Sequence, residues 1–327
     1  MARRPRIQMH LPNLYVGGIE RWALTLLHGI AEFDWFLSTP ADAPSHPSGL
    51  NEFSGFTLID EGAADPPMDA LITTWGISNR GVTPTIAVAH SAFQKYRELM
   101  QTVRFDYAVA VAEAARGCFV DQAAVDIIYN GVDIARLKPV EPRGAVRARL
   151  GLAPDAIVIG YVGRWGYQKN PLAAAAAAAQ IPGASVLYIG PTPEDGPMVQ
   201  EALALAPCIF VAPEAVGHIG DLFAAMDVCM FASRTEGFGL ALAEAWYAQV
   251  PVVATPVGIA AEHPDLVYGL PPDPTPLALK LAVERALGGR GVDLNKARRT
   301  VVDRYSAARM VDDWRAYILA RLDRAAL

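Results

Sequence analysis

Short apolar runs alternate with amphipathic stretches along the whole chain. Such runs predict strands buried on both faces, and the stretches between them predict covering helices. The pattern therefore predicts an α/β fold with parallel sheets. In the first half the expected strands are Arg6–Met9, Trp35–Ser38, Phe56–Ile59, Ala70–Thr73, Thr85–Ala89, Tyr107–Val111 and Asp126–Tyr129. A helix is expected from near Gly18 to about Ala31, because Trp22, Leu26 and Ile30 share one stripe. In the second half strands are expected at Ile157–Val162, Ser185–Ile189, Cys208–Val211, Val228–Phe231 and Val252–Ala254. Helices are expected over Pro197–Leu205, Ile219–Ala225 and Leu240–Ala248, with another opened by Pro171. That last helix contains the alanine run Ala173–Ala179, which suits close packing against a sheet.

The segment Ala41–Gly55 is polar, contains Pro44 and Pro47, and is expected to be a surface loop. A linker is expected at Lys138–Gly144 and a second break near Leu287–Gly291. From Ser306 to about Arg324 the chain predicts an amphipathic helix, with Met310, Trp314, Ile318 and Leu322 on one face. At 327 residues the chain exceeds the length that one core usually serves, so two domains are expected. Hydrophobic residues at 52% provide enough apolar surface for both cores.

A net charge of −6, with no basic excess in either half, argues against a dedicated nucleic-acid binder. Cys118, Cys208 and Cys229 form neither a disulfide framework nor a metal-ligand spacing, which suits a reducing compartment. The basic start, Met1 to Arg6, lacks the apolar stretch of a secretory signal, and no run is long enough to span a membrane. The expectation is a cytoplasmic protein, with peripheral contact at the inner membrane face left open.

Residues 233–244 carry the strongest chemical signal. Glu236 and Glu244 lie eight residues apart around Gly237, Phe238 and Gly239, and a helix-forming run starts at Leu240. A Gly-rich turn feeding a helix start offers unpaired N–H groups and a positive dipole end, which favour an anion such as a diphosphate. Carboxylates only accept hydrogen bonds and suit hydroxyls. A sugar nucleotide carries both groups; a helix-opening loop with two surface glutamates is the plain alternative. Gly163 and Arg164 end an expected strand, and Lys169 and Asn170 precede an expected helix, so both cations fall where α/β sheets bind ligands. Two solvated surface cations would read the same way.

Gly17, Gly18 and Glu20 follow the first strand, where glycines let the backbone approach a ligand or simply make a tight turn. They are not the dinucleotide fingerprint, because the third glycine and the later acidic residue are missing. His90 ends a strand, where it would bond a hydroxyl, move a proton or serve a structural role. His10 lies near the glycine turn, His28 is expected to pack within the first helix, and His218 and His263 carry weaker claims. The chain has no Asp-x-Asp pair, no Gly-x-Ser-x-Gly elbow and no zinc spacing.

Taken in order, Gly17 to Glu20, His90, Asn130 to Asp133, Gly163 to Asn170, Asp227 and Val228, the pair Glu236 and Glu244, and Thr255 to Gly258 with Glu262 resemble a known family. It is the retaining GT-B glycosyltransferases of family 4 (group 1). The resemblance covers nearly the whole chain. It implies two Rossmann-like parallel-sheet domains facing a central cleft, at residues 1–140 and 141–305, with a C-terminal helix over 306–327 crossing back onto the first. It implies catalytic roles for His90, Glu236, Arg164 and Lys169. Donor contacts would come from Gly17, Gly18, Arg164, Lys169, Phe238, Gly239, Leu240 and Glu244. Arg164 and Lys169 would hold the diphosphate, Glu244 the ribose, and Glu236 and His90 the sugar, with the base near the loop after Ile209–Pro213.

The donor would be a UDP- or GDP-linked sugar, with no metal and no further cofactor. Two departures stand out: the first domain is short, and Ala261 stands where proline is common. A trimmed first domain implies a bulky hydroxyl acceptor, such as a glycan, a lipid-linked sugar or a hydroxymethylated DNA base. Arg80, Lys95, Arg97 and Arg104, interleaved with Phe93 and Tyr96, form a candidate membrane or DNA patch that the net charge does not support. The remaining alternatives are a catalytically weak sugar-nucleotide-binding protein and a GT-B sugar-nucleotide 2-epimerase.

Overall fold

The computed structural model describes residues 3–14, 17–43, 47–59, 67–75, 82, 84–91, 93–119, 124–191, 196–212 and 217–325. The chain divides into two compact units, Met1–Gly131 with Ala307–Leu327, and Val132–Ser306.

The first unit runs β1 (Arg6–His10), α1 (Gly18–Gly29), β2 (Asp34–Ser38), α2 (Pro47–Phe53), β3 (Thr57–Leu58), β4 (Ala70–Thr73), β5 (Thr85–Ala89), α3 (Gln94–Gln101), β6 (Tyr107–Ala110), α4 (Glu113–Arg116) and β7 (Asp126–Ile127). Among the described residues the strands form one parallel sheet ordered β3-β2-β1-β4-β5-β6-β7. Every residue of β4 and β5 is buried, as a strand covered on both faces requires. Strand order reverses between β1 and β4, and the carboxyl ends of strands beside such a reversal form the natural ligand crevice of an open sheet.

The second unit runs α5 (Arg143–Arg149), β8 (Ile157–Val162), α6 (Leu172–Ala178), β9 (Ala184–Ile189), α7 (Pro197–Leu205), β10 (Cys208–Val211), α8 (Ile219–Ala225), β11 (Val228–Phe231), α9 (Leu240–Tyr247), β12 (Val252–Ala254), α10 (Ile259–Glu262), β13 (Tyr268–Gly269), α11 (Pro276–Leu287) and α12 (Leu294–Arg304). Its parallel sheet is ordered β10-β9-β8-β11-β12-β13, with the reversal between β8 and β11. The alanines of α6 are almost all buried and join Tyr188 and Val186 of β9 in one core. A small side chain is what lets that helix lie close. The Tyr188 hydroxyl donates to the Pro171 carbonyl at 3.0 Å, tying the helix start to the sheet. Asp227, just ahead of β11, accepts from Arg143, from the buried Arg147 at 2.6 Å and from the Val158 N–H at 2.8 Å. These bonds lock α5 to the amino ends of the two central strands.

The last helix, α13 (Ala307–Ala325), belongs to the first unit. Met310, Trp314 and Ile318 are buried on its inner face, as their spacing predicts. Gly29 at the end of α1 lies so close that a Cβ there would stand 2.5 Å from Val311 Cγ2.

Three expectations are corrected. Ala41–Gly55 is not all loop, because α2 occupies Pro47–Phe53, where buried Phe53 anchors it and Glu52 pairs with Arg21 at 3.0 Å. The linker Lys138–Gly144 ends early, since Arg143 and Gly144 open α5, and Asp221 holds the N–H groups of Val140 and Glu141 at 2.6 and 3.0 Å. His28 is exposed and rests on the Phe56 ring at 5.1 Å instead of packing inside. Strand β13 went unforeseen, because its two residues form no apolar run.

Gly29→Ala should therefore destabilise the protein by about 1–3 kcal/mol through overpacking, read as a lower Tm. Adding Val311→Ala should recover most of the loss; a Tm unchanged by Gly29→Ala would contradict the close approach.

Candidate functional site

In the second unit two loops meet where the strand order reverses. The loop after β8 carries Gly163, Arg164 and Lys169; the loop after β11 carries Ser233, Arg234 and Glu236. Lys169 Nζ lies 2.6 Å from both Glu236 oxygens. The buried Ser233 hydroxyl donates to Glu236 Oε1 at 2.8 Å, and the Thr255 hydroxyl bonds the Ser233 carbonyl. Glu236 is only 14% exposed and Lys169 30%, so this pair is less screened than a surface ion pair. Further out, the Arg234 N–H donates to the Gln168 carbonyl at 2.7 Å. Its guanidinium donates to the Tyr167 carbonyl at 2.7 Å and stacks 4.1 Å from the Tyr167 ring centre. Arg164 is exposed beside this brace.

Helix α9 starts next to the pair. Gly239 precedes it in the left-handed region, and no side chain caps its N-terminus. The first N–H groups of the helix therefore face outward with the positive end of its dipole. Phe238 is buried, its ring edge-on to Tyr305 at 5.3 Å, so only its backbone is placed to meet a ligand. Glu244 falls in the second turn of α9 and is half-buried. Gly258, at φ +55°, is indispensable here: a Cβ would collide with the Phe238 carbonyl and come within 2.9 Å of Glu236 Cβ. The structure thus brings together Lys169, Glu236, Phe238, Gly239 and Leu240. Ser233, Thr255 and Gly258 support the site and were not singled out for that role, because nothing in their spacing reveals which loops will touch.

In the first unit the second cluster lies at the carboxyl ends of β1 and β5. Gly17 precedes α1, and the buried Glu20 carboxylate folds back over it. His90 follows β5, and its ring packs edge-on against Trp22 of α1 at 4.6 Å, which brings the glycine turn and the histidine into one cluster. His90 Nε2 has no accessible surface and no hydrogen-bond partner among the described residues. Burial pushes the imidazole down from its ordinary range to about 3. His10 bonds Ser38 Oγ at 3.0 Å, and His263 bonds the Tyr305 hydroxyl at 2.8 Å, so both serve the interior.

The cationic-aromatic patch does not form as expected. Lys95, Arg97 and Arg104 are exposed, but Tyr96 is buried, its hydroxyl 2.7 Å from the Thr74 carbonyl and 3.0 Å from that of Val88. Arg80, and Pro213 of the expected base loop, lie outside the described residues.

Comparison with known proteins gives this geometry a class. Residues 156–287 match the family described as Glycosyl transferases group 1. The chain spans about a third of the length of the curated relatives it matches. D-inositol 3-phosphate glycosyltransferase of Mycolicibacterium gilvum is 34% identical over 146 residues, covering 42% of this chain and 33% of that protein. Its namesake in Mycobacterium tuberculosis is 33% identical over 146 residues, covering 42% and 30%. Among solved structures, Anabaena HepE in complex with UDP and glucose aligns with TM-score 0.79 at 16% identity, covering 97% of this chain and 100% of that one. Sucrose-phosphate synthase of Thermosynechococcus elongatus aligns with TM-score 0.75 at 19% identity, covering 97% and 100%. At these identities the likeness is one of fold, and the fold is GT-B.

The depressed His90 pKa has a consequence for stability. Between about 6.5 and about 3 the unfolded chain binds a proton at this imidazole that the folded chain refuses. Stability should therefore fall as pH drops through that window, and His90→Gln should flatten this part of the profile. Chemical denaturation of both proteins at stepped pH reads the effect; identical profiles would contradict it.

Proposed function

We propose that this protein transfers a glycosyl group from a nucleoside-diphosphate sugar to a hydroxyl acceptor, with retention, as family 4 enzymes do. The observation that carries the reading is the meeting of Lys169 with Glu236 across the second unit's strand reversal, beside Arg164 and the uncapped start of α9. That arrangement offers positive charge and backbone donors for a diphosphate and a carboxylate for sugar hydroxyls. Charge developing on the leaving diphosphate is met by Arg164, Lys169 and the α9 dipole, which supply this stabilisation without a metal. Lys169 is already paired with Glu236, so donor binding requires the ammonium to exchange or share that partner.

In this reading Glu244 accepts from the ribose hydroxyls, and the N–H groups of Phe238, Gly239 and Leu240 lie along the diphosphate and sugar. In the first unit Gly17 and Gly18 provide a close backbone surface. His90 acts as a neutral hydrogen-bonding group, since burial keeps it from carrying a proton at ordinary pH. Solved relatives of the fold are described in complex with UDP and with UDP-glucose, which favours a UDP-linked donor over a GDP-linked one. The acceptor is a bulky hydroxyl compound: a glycan, a lipid-linked sugar or a hydroxymethylated base. The name of the curated relatives adds a polyol phosphate to that set.

Nucleotide release from a panel of UDP- and GDP-sugars, with and without these acceptor classes, tests the proposal. Release stimulated by one donor and one acceptor class, with the anomeric configuration kept, is the expected result. Binding seen as a raised Tm with no release from any donor would favour a sugar-nucleotide-binding protein. Arg164→Ala and Lys169→Ala should each lower kcat by about 10²-fold, the first with little change in Tm and the second with some loss, because it leaves the partly buried Glu236 unpaired. Glu244→Ala should mainly raise donor KM, by about tenfold, because ribose contacts are equal in ground and transition states. Turnover unaffected by either cation change would remove the diphosphate assignment.

A further inference from the structure

His90 is held from behind by a series of rings that ends in the last helix. Its ring meets Trp22 of α1 at 4.6 Å with 69° between planes, and Trp22 meets Trp314 of α13 at 5.5 Å and 68°. Trp22 and Trp314 are among the largest fully buried side chains of the protein. Neither indole N–H has a hydrogen-bond acceptor among the described residues. A buried N–H without an acceptor is costly, and near-perpendicular packing lets it face an aromatic cloud instead. That makes the mutual angles of the rings matter: turning Trp22 withdraws a partner from both neighbours.

Both ends of the series are fixed. The His90 backbone N–H donates to the Tyr96 hydroxyl at 3.4 Å, which holds the main chain, while Trp22 is the ring that packs against the imidazole. Trp314 cannot retreat easily, because it is fully buried between Met310 and Ile318 on the inner face of α13. Of the three unpartnered ring nitrogens in this series, His90 Nε2 alone is able to accept a hydrogen bond, from a hydroxyl once the ring turns it toward the surface.

We propose that Trp314 is a positioning residue. Acting through Trp22, it sets the angle at which the His90 imidazole presents Nε2 at the carboxyl end of β5. Its kinetic consequence rests on the glycosyl-transfer reading; the ring geometry does not.

The test uses the full chain with 13C-labelled histidine and four variants: Trp314→Leu, Trp314→Phe, Val311→Ala and His90→Ala. Trp314→Leu should displace the His90 ring resonances, because Trp22 shifts its ring current over them, while Val311→Ala on the same helix should leave them in place. Trp314→Leu should lower kcat by about tenfold and leave donor KM within about twofold. Trp314→Phe, which keeps an aromatic edge, should restore both readings. The double variant Trp314→Leu/His90→Ala should be no slower than His90→Ala alone, since both act on one group. Unmoved His90 resonances in folded Trp314→Leu, or rate losses that multiply in the double variant, would overturn the proposal. Should Trp314→Leu lose its fold, Trp314→Met keeps more of the volume and serves the same comparison. If the parent protein transfers no sugar, the transferase reading fails by itself, and the resonance shifts still decide whether Trp314 sets the His90 ring.

Discussion

The ion pair between Lys169 and Glu236 is the contact on which the second unit's site depends. It joins the loops after β8 and β11, which the sheet places side by side but does not itself connect at their tips. Ser233 and Thr255 hold the acidic partner, and Arg234 ties the two loops together a second time through Tyr167 and Gln168. The pair also sets the charge of the site. With Lys169 neutralised by Glu236, the uncompensated positive field comes from Arg164 and the α9 dipole. In the reading proposed above, a diphosphate would meet a site whose charge is partly held in reserve.

The first unit follows a different logic. Its cluster is assembled by apolar and aromatic packing, with Trp22 as the hub between the glycine turn, His90 and the last helix. A polar ring packed in this way loses its ability to ionise and keeps its ability to hydrogen-bond. The two units thus differ in chemistry: the second offers charge and backbone donors, the first a neutral ring edge and a close backbone turn.

The sheets were legible in the sequence because strands buried on both faces leave continuous apolar runs. The ends of β4, β5, β8, β10, β11 and β12 fall where the runs end. The turns that open α1 and α9 were legible too, because a turn before a helix favours glycine, and Gly17 and Gly239 stand there. What the sequence could not show was which loops touch. The bidentate contact of Lys169 with Glu236 bridges 67 positions, and no periodicity encodes it. Helix α2 was hidden by prolines that elsewhere mark turns, although Pro47 stands at a helix start, where proline is tolerated. Tyr96 was misplaced for the opposite reason: its neighbours are charged, but its own position on α3 faces the sheet.

The return of α13 to the first unit carries a consequence for the order of synthesis. The second unit is continuous, and its residues are all made before Ala307 leaves the ribosome. The first unit is begun before the second and completed after it. Until the final helix emerges, Trp22 has no Trp314 against it and Gly29 leaves a groove without its Val311. The nascent chain therefore carries a complete second unit beside an unfinished first one. Completion of the His90 cluster waits on the synthesis of α13.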